Sequence, residues 1–190
     1  MRTTIKIFCA LLLLLPLAAK AERADALKRV SAEFGEVHVD YATGTTIASG
    51  KVVLTRGTTV LKSERAEVTE APDGYRRFVL IAKPGKLATF RTKSDRGPDL
   101  WSEGHAERIE YDERTETVKL FSKAMIRQLE GNRITHQIEQ AFISYDSHNE
   151  VLLGQNDASG NNMQVEGRGT ITLEPFRTLT TTASQTPAGK

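Results

Sequence analysis

The sequence predicts an all-β protein of tandem antiparallel strand repeats, folded as an open-ended β-jellyroll or a long β-sandwich. From Val37 onward, short runs rich in Val, Ile, Thr, Tyr and Phe alternate apolar with polar residues. Segments with Pro and Gly, which favour turns, separate these runs. Such segments lie at 72–74, 83–85 and 96–99. Because alternation gives each strand one apolar face, two facing sheets bury those faces against each other.

A repeated triplet indicates tandem stacking of one unit. The triplet Val/Ile-x-Tyr occurs at Val39–Tyr41, Ile109–Tyr111 and Ile143–Tyr145, with a candidate decayed copy starting at Ala66-Glu67-Val68. The tyrosines lie 70 and 34 residues apart, which fits a unit of about 35 residues. Each unit is then a strand, a turn, a second strand and a connection.

The first 21 residues predict a cleaved secretion signal. Arg2 and Lys6 precede an apolar run from Ile7 to Leu17, and Ala19-Lys20-Ala21 fits the small-x-small cleavage pattern. The alternative is a retained membrane anchor over residues 7–19. This run is shorter than the roughly 20 apolar residues of a spanning helix. Cleavage predicts a periplasmic protein.

Cleavage changes the cysteine content and the charge. Cys9 is the one cysteine and lies in the signal, so the mature chain has no disulfide and no thiolate. The formal charge is +2, and loss of Arg2, Lys6 and Lys20 with no acid brings it to −1. Because the mature chain has no cluster of basic residues in its sequence and a formal charge of −1, it is not predicted to bind nucleic acid.

The predicted jellyroll domain covers residues 22–176. Within it, Leu27, Val30 and Phe34 have helical spacing before Gly35, so a short helix is predicted over 24–35. Residues 177–190 hold Thr, Ser and Pro with few apolar residues and predict a disordered tail.

Catalytic and metal-binding patterns are absent from the sequence, which predicts a protein that is not an enzyme and needs no cofactor. There is no Gly-x-Ser-x-Gly motif, and His38, His105, His136 and His148 lack the i, i+4 spacing of a helical zinc site. His105, between Glu103 and Glu107, has two interpretations. One is metal binding or proton transfer, and the favoured one is a solvated histidine at a strand end.

The chain resembles the LptA-type, OstA-like β-jellyroll family. The resemblance lies in Ala48–Leu54, Leu61–Val68, Gly85–Phe90 and Glu103–Tyr111, whose order and spacing carry it. The chain departs from the family pattern in turns. Lys51 stands where Asn is common, Glu67 where Asp is common, and Ser122 where glycine is expected.

The resemblance implies a twisted, open-ended β-jellyroll that holds the acyl chains of lipopolysaccharide between its sheets while the sugars project into water. It also implies head-to-tail self-association and contact with LptC-like inner-membrane and LptD-like outer-membrane proteins of the same fold. A different class of function stays open. A structural or adaptor β-protein of the cell envelope would bind partners by edge-strand pairing without carrying lipid.

Alternation along the strands selects the candidate lipid-binding residues, which would point inward. They are Val37, Val39, Tyr41, Val52, Leu54, Phe90, Ile109, Tyr111, Ile143 and Tyr145. The alternative is that these side chains only pack a closed core. Two edge strands are predicted, at 37–41 and around 165–173, unless the helix and the tail cover them.

Basic residues near the predicted turns are candidates for contacts to lipid phosphates. They are Arg76, Arg77, Arg91 and Lys93. A solvated surface of mixed charge is the favoured alternative for all four.

Overall fold

Twelve antiparallel strands make up the described part of the chain. A computed structural model describes residues 28–94, 97, 99–146, 149, 151–161 and 166–174. The strands are β1 Ser31–Glu33, β2 Glu36–Asp40, β3 Thr45–Arg56, β4 Thr59–Glu70, β5 Arg76–Ile81, β6 Ala88–Lys93, β7 Leu100–Ala106, β8 Arg108–Asp112, β9 Thr117–Glu130, β10 Arg133–Asp146, β11 Val151–Gln155 and β12 Thr170–Leu173. No helix among these residues is long and apolar enough to cross a membrane. The predicted signal at 1–21 and tail at 177–190 lie outside them.

The long strands β3, β4, β9 and β10 each run through two sheets. The first sheet has the order β2–β3–β4–β5–β8–β9–β10–β11, and the second has the order β1–β3–β4–β6–β7–β9–β10–β12. One apolar core contains side chains from both, including Leu80 and Ile109 of the first and Phe90 and Ile126 of the second. The two sheets therefore face each other across a shared interior, as the predicted jellyroll requires.

Two bends with left-handed backbone turn the long strands from one sheet to the other. In β3, Gly50 and Lys51 have φ values of 82° and 56°, and the β3–β4 register shifts between Ser49 and Val52. In β9, Ser122 and Lys123 have φ values of 61° and 53°. Such bulges bend a strand and re-aim its side chains. The sequence departures at Lys51 and Ser122 thus lie at the bends.

Small side chains line the inside of the fold where the two sheets converge. Ala88 pairs with Ala106 across β6 and β7, and Ala124 lies on the neighbouring strand β9. All three are buried, with exposed fractions of 2% or less. Because alanine carries only a methyl group, the sheets can approach closely along this line.

The predicted helix over residues 24–35 is wrong for the part that the structure describes. Residues Ser31–Glu33 form β1, which pairs with β3 through Ala32 and Leu54. Helices shorter than about 12–15 residues are marginal by themselves. Hydrogen bonds to the edge of β3 therefore decide the conformation of this segment. Residues 24–27 lie outside the described residues.

We predict that Ser122→Gly stabilises the protein by up to about 1 kcal/mol, because glycine removes the cost of a side chain in left-handed backbone. Chemical denaturation measures the free energy of unfolding. Ser144→Gly is the control, since Ser144 lies within β10, and it is expected to destabilise by about 0.5–1 kcal/mol. A Ser122→Gly variant as unstable as the control contradicts the assignment of strain to this bend.

Candidate functional site

Cross-strand neighbours form continuous apolar rows on the inner faces of both sheets. In the first sheet, the row nearer the bends is Val37–Ala48–Ala66–Leu80–Ile109–Leu120–Ile143–Gly154. The outer row is Val39–Thr46–Val68–Phe78–Tyr111–Val118–Tyr145–Leu152. In the second sheet, one row is Ala32–Leu54–Leu61–Phe90–Gly104–Ile126–Ile138–Ile171. Together these rows line one elongated apolar interior.

Most candidate lipid-binding residues lie in this interior. Five are buried and two are half-buried. The buried ones are Val52, Leu54, Phe90, Ile109 and Ile143, and the half-buried ones are Tyr111 and Tyr145. Val37 and Val39 belong to the inner rows but are 47% and 41% exposed, because β2 is the last strand of its sheet.

The inward placement predicted for Tyr41 is wrong, since this side chain is 92% exposed. Strand β2 ends at Asp40, whose Oδ1 accepts the N–H groups of Ala42 at 2.8 Å and Thr43 at 3.2 Å. Hydrogen bonds from Thr43 also hold the pKa of Asp40 below its usual value. This turn begins before Tyr41, so the tyrosine stands outside the sheet.

The early end of β2 also shows that the first predicted copy of the repeat was aligned two residues too late. Val37 and Val39 occupy the rows of Ile109 and Tyr111, and so do Ala66 and Val68 of the decayed copy. Ala66, Ile109 and Ile143 thus lie in one row, which also contains residues of the intervening strands, and the repeat unit of about 35 residues stays a prediction. The residues of the first copy that match Ile109 and Tyr111 are Val37 and Val39, so a valine stands where the triplet has tyrosine.

Several interior residues were missed in the sequence analysis. Leu80 and Leu120 lie at 2% and 0% exposure beside Ile109, and Phe78 packs against Tyr111 with ring centroids 6.1 Å apart. The apolar alternation of Phe78 and Leu80 in the sequence could have predicted that both side chains point inward. Gly104 lies within the segment Glu103–Tyr111 that carries the resemblance, and its inward face is covered by the ring of Phe90.

Within the described residues, the interior is closed in the middle and exposes apolar side chains at both ends. Leu80, Ile109 and Ile143 are at most 2% exposed. At the far end, Ile171 of β12 pairs with Ile138 on the inner face and remains 60% exposed. The end strands β2 and β12 thus leave apolar side chains of the interior in contact with solvent.

Both predicted edges exist, and each is divided between the two sheets. Strands β1 and β2 pair with β3, and β11 and β12 pair with β10. Unpaired backbone groups on such strands can extend a sheet by pairing with another chain. The second edge prediction included Val165, which lies outside the described residues, and it did not include β11.

A charged cluster joins the two sheets on the side opposite the bends. Arg56 ends β3 in the second sheet, Arg76 begins β5 in the first sheet, and Glu113 lies in the turn directly after β8. Glu113 Oε1 accepts a hydrogen bond from Arg56 Nη1, and its two oxygens accept Arg76 Nη2 and Nε at 3.1 Å each. Arg56 and Arg76 continue the inward alternation of Leu54 and Phe78. Glu113 is held beside β5, because its backbone N–H donates to the carbonyl oxygen of Arg76 at 3.0 Å.

Tyr111 connects this cluster to the apolar rows below it. Burial raises the pKa of its hydroxyl, while the charge of Arg56 and a hydrogen bond with it lower the pKa by less. The neutral phenol is therefore favoured in the folded protein. Its ring extends the apolar wall, and its hydroxyl marks where that wall meets the charged groups.

We predict that alkaline pH destabilises the protein partly through Tyr111. The raised pKa means that the unfolded chain loses this proton first. The stability from the neutral phenol is intact below a pH of about 10 and is lost as pH rises through the folded pKa. Tyr111→Phe should flatten the fall in unfolding free energy above that pH. Tyr41→Phe, at an exposed position, is the control and should leave the profile unchanged.

The other candidate basic residues lie on outer faces or at turns. Arg77 pairs with Glu110 at 2.5 Å, and Arg91 Nη1 lies 2.7 Å from Glu103 Oε2. Lys93 lies at the end of β6, where its N–H donates to the Thr58 hydroxyl. Arg76 is thus the one of these four candidates that lies beside the apolar interior, 5.7 Å from the centroid of the Phe78 ring.

His105 lies within β7 on the outer face, beside Met125 of β9. Burial lowers its pKa, and the charge of Glu139 opposes that shift. It is half-buried, which differs from the solvated strand end that was favoured. Within the described residues, no group of three His, Cys, Asp or Glu side chains could hold a metal ion.

The fold and the interior define an open-ended antiparallel roll whose two apolar sheets face each other. Residues 35–169 match the family model described as LptA/(LptD N-terminal domain) LPS transport protein. The chain belongs to this family.

Individual relatives agree with this assignment. The lipopolysaccharide export system protein LptA of Escherichia coli K12 is 27% identical over 133 residues, covering 68% of this chain and 70% of the relative. The Shigella flexneri protein of the same name has the same identity and coverage. The fold is similar to the crystal structure of LptH, described as the LptA-homologous periplasmic component of the lipopolysaccharide transport device of Pseudomonas aeruginosa. That match has a TM-score of 0.66 at 21% identity and covers 80% of this chain and 99% of LptH.

Proposed function

We propose that this chain binds lipopolysaccharide in the periplasm by its acyl chains and passes it from the inner to the outer membrane. The observation that carries the proposal is the apolar interior with uncovered ends, in a member of an LPS transport family. Each CH₂ group withdrawn from water contributes about 0.8 kcal/mol, so a lipid with several chains needs such shelter.

Lipid binding in this interior requires the two sheets to move apart. The side chains in the middle of the rows contact each other and exclude solvent. Acyl chains would replace these contacts with similar apolar ones, which carry no directional requirement. The candidates for contact with acyl chains in this state are the inward residues Phe90, Ile109 and Tyr111 together with their row neighbours.

We further propose that copies of the chain join head to tail. Strands β1 and β2 of one copy would pair with β11 and β12 of the next, continuing both sheets and covering Val37 and Ile171. Contacts of this non-closing kind generate filaments. LptC-like and LptD-like proteins of the same fold would occupy the two ends of such a bridge. Under this proposal the chain is a carrier, and catalysis plays no part.

Depletion of the protein in its own bacterium tests the proposal. We expect newly made, radiolabelled lipopolysaccharide to stay with the inner-membrane fraction after depletion and to reach the outer membrane again when the wild-type chain is restored. An envelope adaptor without a lipid-carrying role predicts normal delivery of lipopolysaccharide. Normal delivery after complete depletion would therefore reject the transport proposal.

A further inference from the structure

The cluster of Arg56, Arg76 and Glu113 joins the two sheets beside the apolar interior, on the side opposite the bends. Phe78 and Tyr111 form the wall directly below it, and the Arg76 guanidinium lies 5.7 Å from the centroid of the Phe78 ring. An amphiphile with its hydrocarbon among these rings would bring its polar headgroup to the two arginines.

The cluster keeps an excess of one positive charge, because two guanidinium groups share the carboxylate of Glu113. A guanidinium offers more N–H donors than the Glu113 contacts use, and its planar fork suits bidentate binding to phosphate oxygens. The side chains of Arg56 and Arg76 are only 15% and 30% exposed. Contacts made there are less screened by water than contacts on the outer surface. Glu116 has the smallest of the effects on the pKa of Tyr111 and is not among the ion-pair partners of Arg56 and Arg76 given above, so the excess charge is that of the three cluster residues.

We propose that Arg56 and Arg76 bind a phosphate group on the headgroup of the acylated ligand, with Glu113 holding both guanidinium groups in position. The inference rests on the proposed function and adds a polar recognition site to it. The site would favour glycolipids that carry a phosphate beside their acyl chains.

A second cluster of the same composition provides a matched comparison. Arg91 and Arg127 share Glu103 on the outer face of the second sheet, with side chains 44% and 35% exposed. Arg91 stacks on Trp101 at 4.5 Å, away from the interior. This cluster has the same charges without an apolar interior below them.

The test compares two lipids and three proteins. Dissociation constants are measured for diphosphoryl lipid A and for the same lipid with both phosphates removed, with the full mature chain, with Arg56→Gln/Arg76→Gln and with Arg91→Gln/Arg127→Gln. We expect the wild type and the outer-face variant to prefer diphosphoryl lipid A about tenfold, the effect of a charge-assisted contact. The Arg56→Gln/Arg76→Gln variant should lose this preference and keep its affinity for the dephosphorylated lipid.

Equal affinity of the wild type for both lipids would overturn the phosphate site and leave the proposed function intact. An equal loss of affinity for both lipids in Arg56→Gln/Arg76→Gln would also overturn the phosphate site. It would mean that the arginines stabilise the fold and do not bind phosphate. Failure of the wild type to bind either lipid would overturn the proposed function and this inference with it. If the glutamine variant does not fold, Arg56→Lys/Arg76→Lys keeps both charges without the bidentate fork. It should then reduce the preference to about threefold.

Discussion

Replacement of Leu120 by alanine is expected to lower the free energy of unfolding by about 2–5 kcal/mol. Leu120 is 0% exposed and lies between Ile109 and Ile143 in the inner row of the first sheet. Removing its isobutyl group loses the transfer free energy of the buried atoms. It also leaves a cavity that neighbours on three paired strands cannot close. Denaturant unfolding, followed by the fluorescence of the one tryptophan, measures the change.

The matched control is Leu87→Ala. Leu87 lies in the turn before β6 and is 36% exposed, so its replacement should change the unfolding free energy by less than about 1 kcal/mol. A loss at Leu120 as small as that at Leu87 would mean that the middle of the interior is not packed as described. The interior would then already be open without lipid.

Replacement of Gly104 by alanine is expected to destabilise the protein by about 1–3 kcal/mol or more. A Cβ atom at this position would lie 2.5 Å from the carbonyl oxygen of Met125 and 2.6 Å from Phe90 Cε1. The backbone of β9 cannot move without disturbing the β7–β9 pairing, and Phe90 is held in the second sheet. Thermal and denaturant unfolding of the variant give the magnitude.

Gly154→Ala controls for the loss of glycine itself. Gly154 ends a row in β11, and its added Cβ would meet the Gln140 side chain at an ordinary 3.5 Å. This variant should be nearly neutral. If Gly104→Ala were equally neutral, the close approach of Phe90 to β7 would be wrong, and with it the position of a central candidate residue.

The fold class was predictable because it depends on local alternation. The pattern of Ile109-Glu110-Tyr111 and Ile143-Ser144-Tyr145 assigns one face to the core whatever the neighbouring strands are. Both segments occupy the rows that alternation predicts. The same logic placed Val52, Leu54 and Phe90 inside.

The bends were not predictable, because they depend on backbone conformations that the residue types do not favour. Lys51, Ser122 and Lys123 all have positive φ, although side chains other than glycine rarely adopt it. Long-range pairing on both sides of each bend imposes this conformation. Strand β1 was mistaken for a helix for a similar reason, since its pairing partner on β3 is distant in sequence.

The cluster of Arg56, Arg76 and Glu113 could not be predicted from the sequence. Arg56 and Glu113 are 57 residues apart, and neither was a candidate. Arg76 was considered together with Arg77, but alternation sends these neighbours to opposite faces of β5. Only the register of the strands shows which arginine faces the interior.

Photo-crosslinking in living cells tests the central claim most directly. A photoreactive phenylalanine analogue replaces Phe90 on the inner face in one strain and Trp101 on the outer face of the adjacent strand β7 in another. Binding between the two sheets predicts that irradiation attaches lipopolysaccharide to the protein carrying the probe at 90 and not to the protein carrying it at 101. Lipopolysaccharide attached equally at both positions, or at 101 alone, would contradict binding between the two sheets.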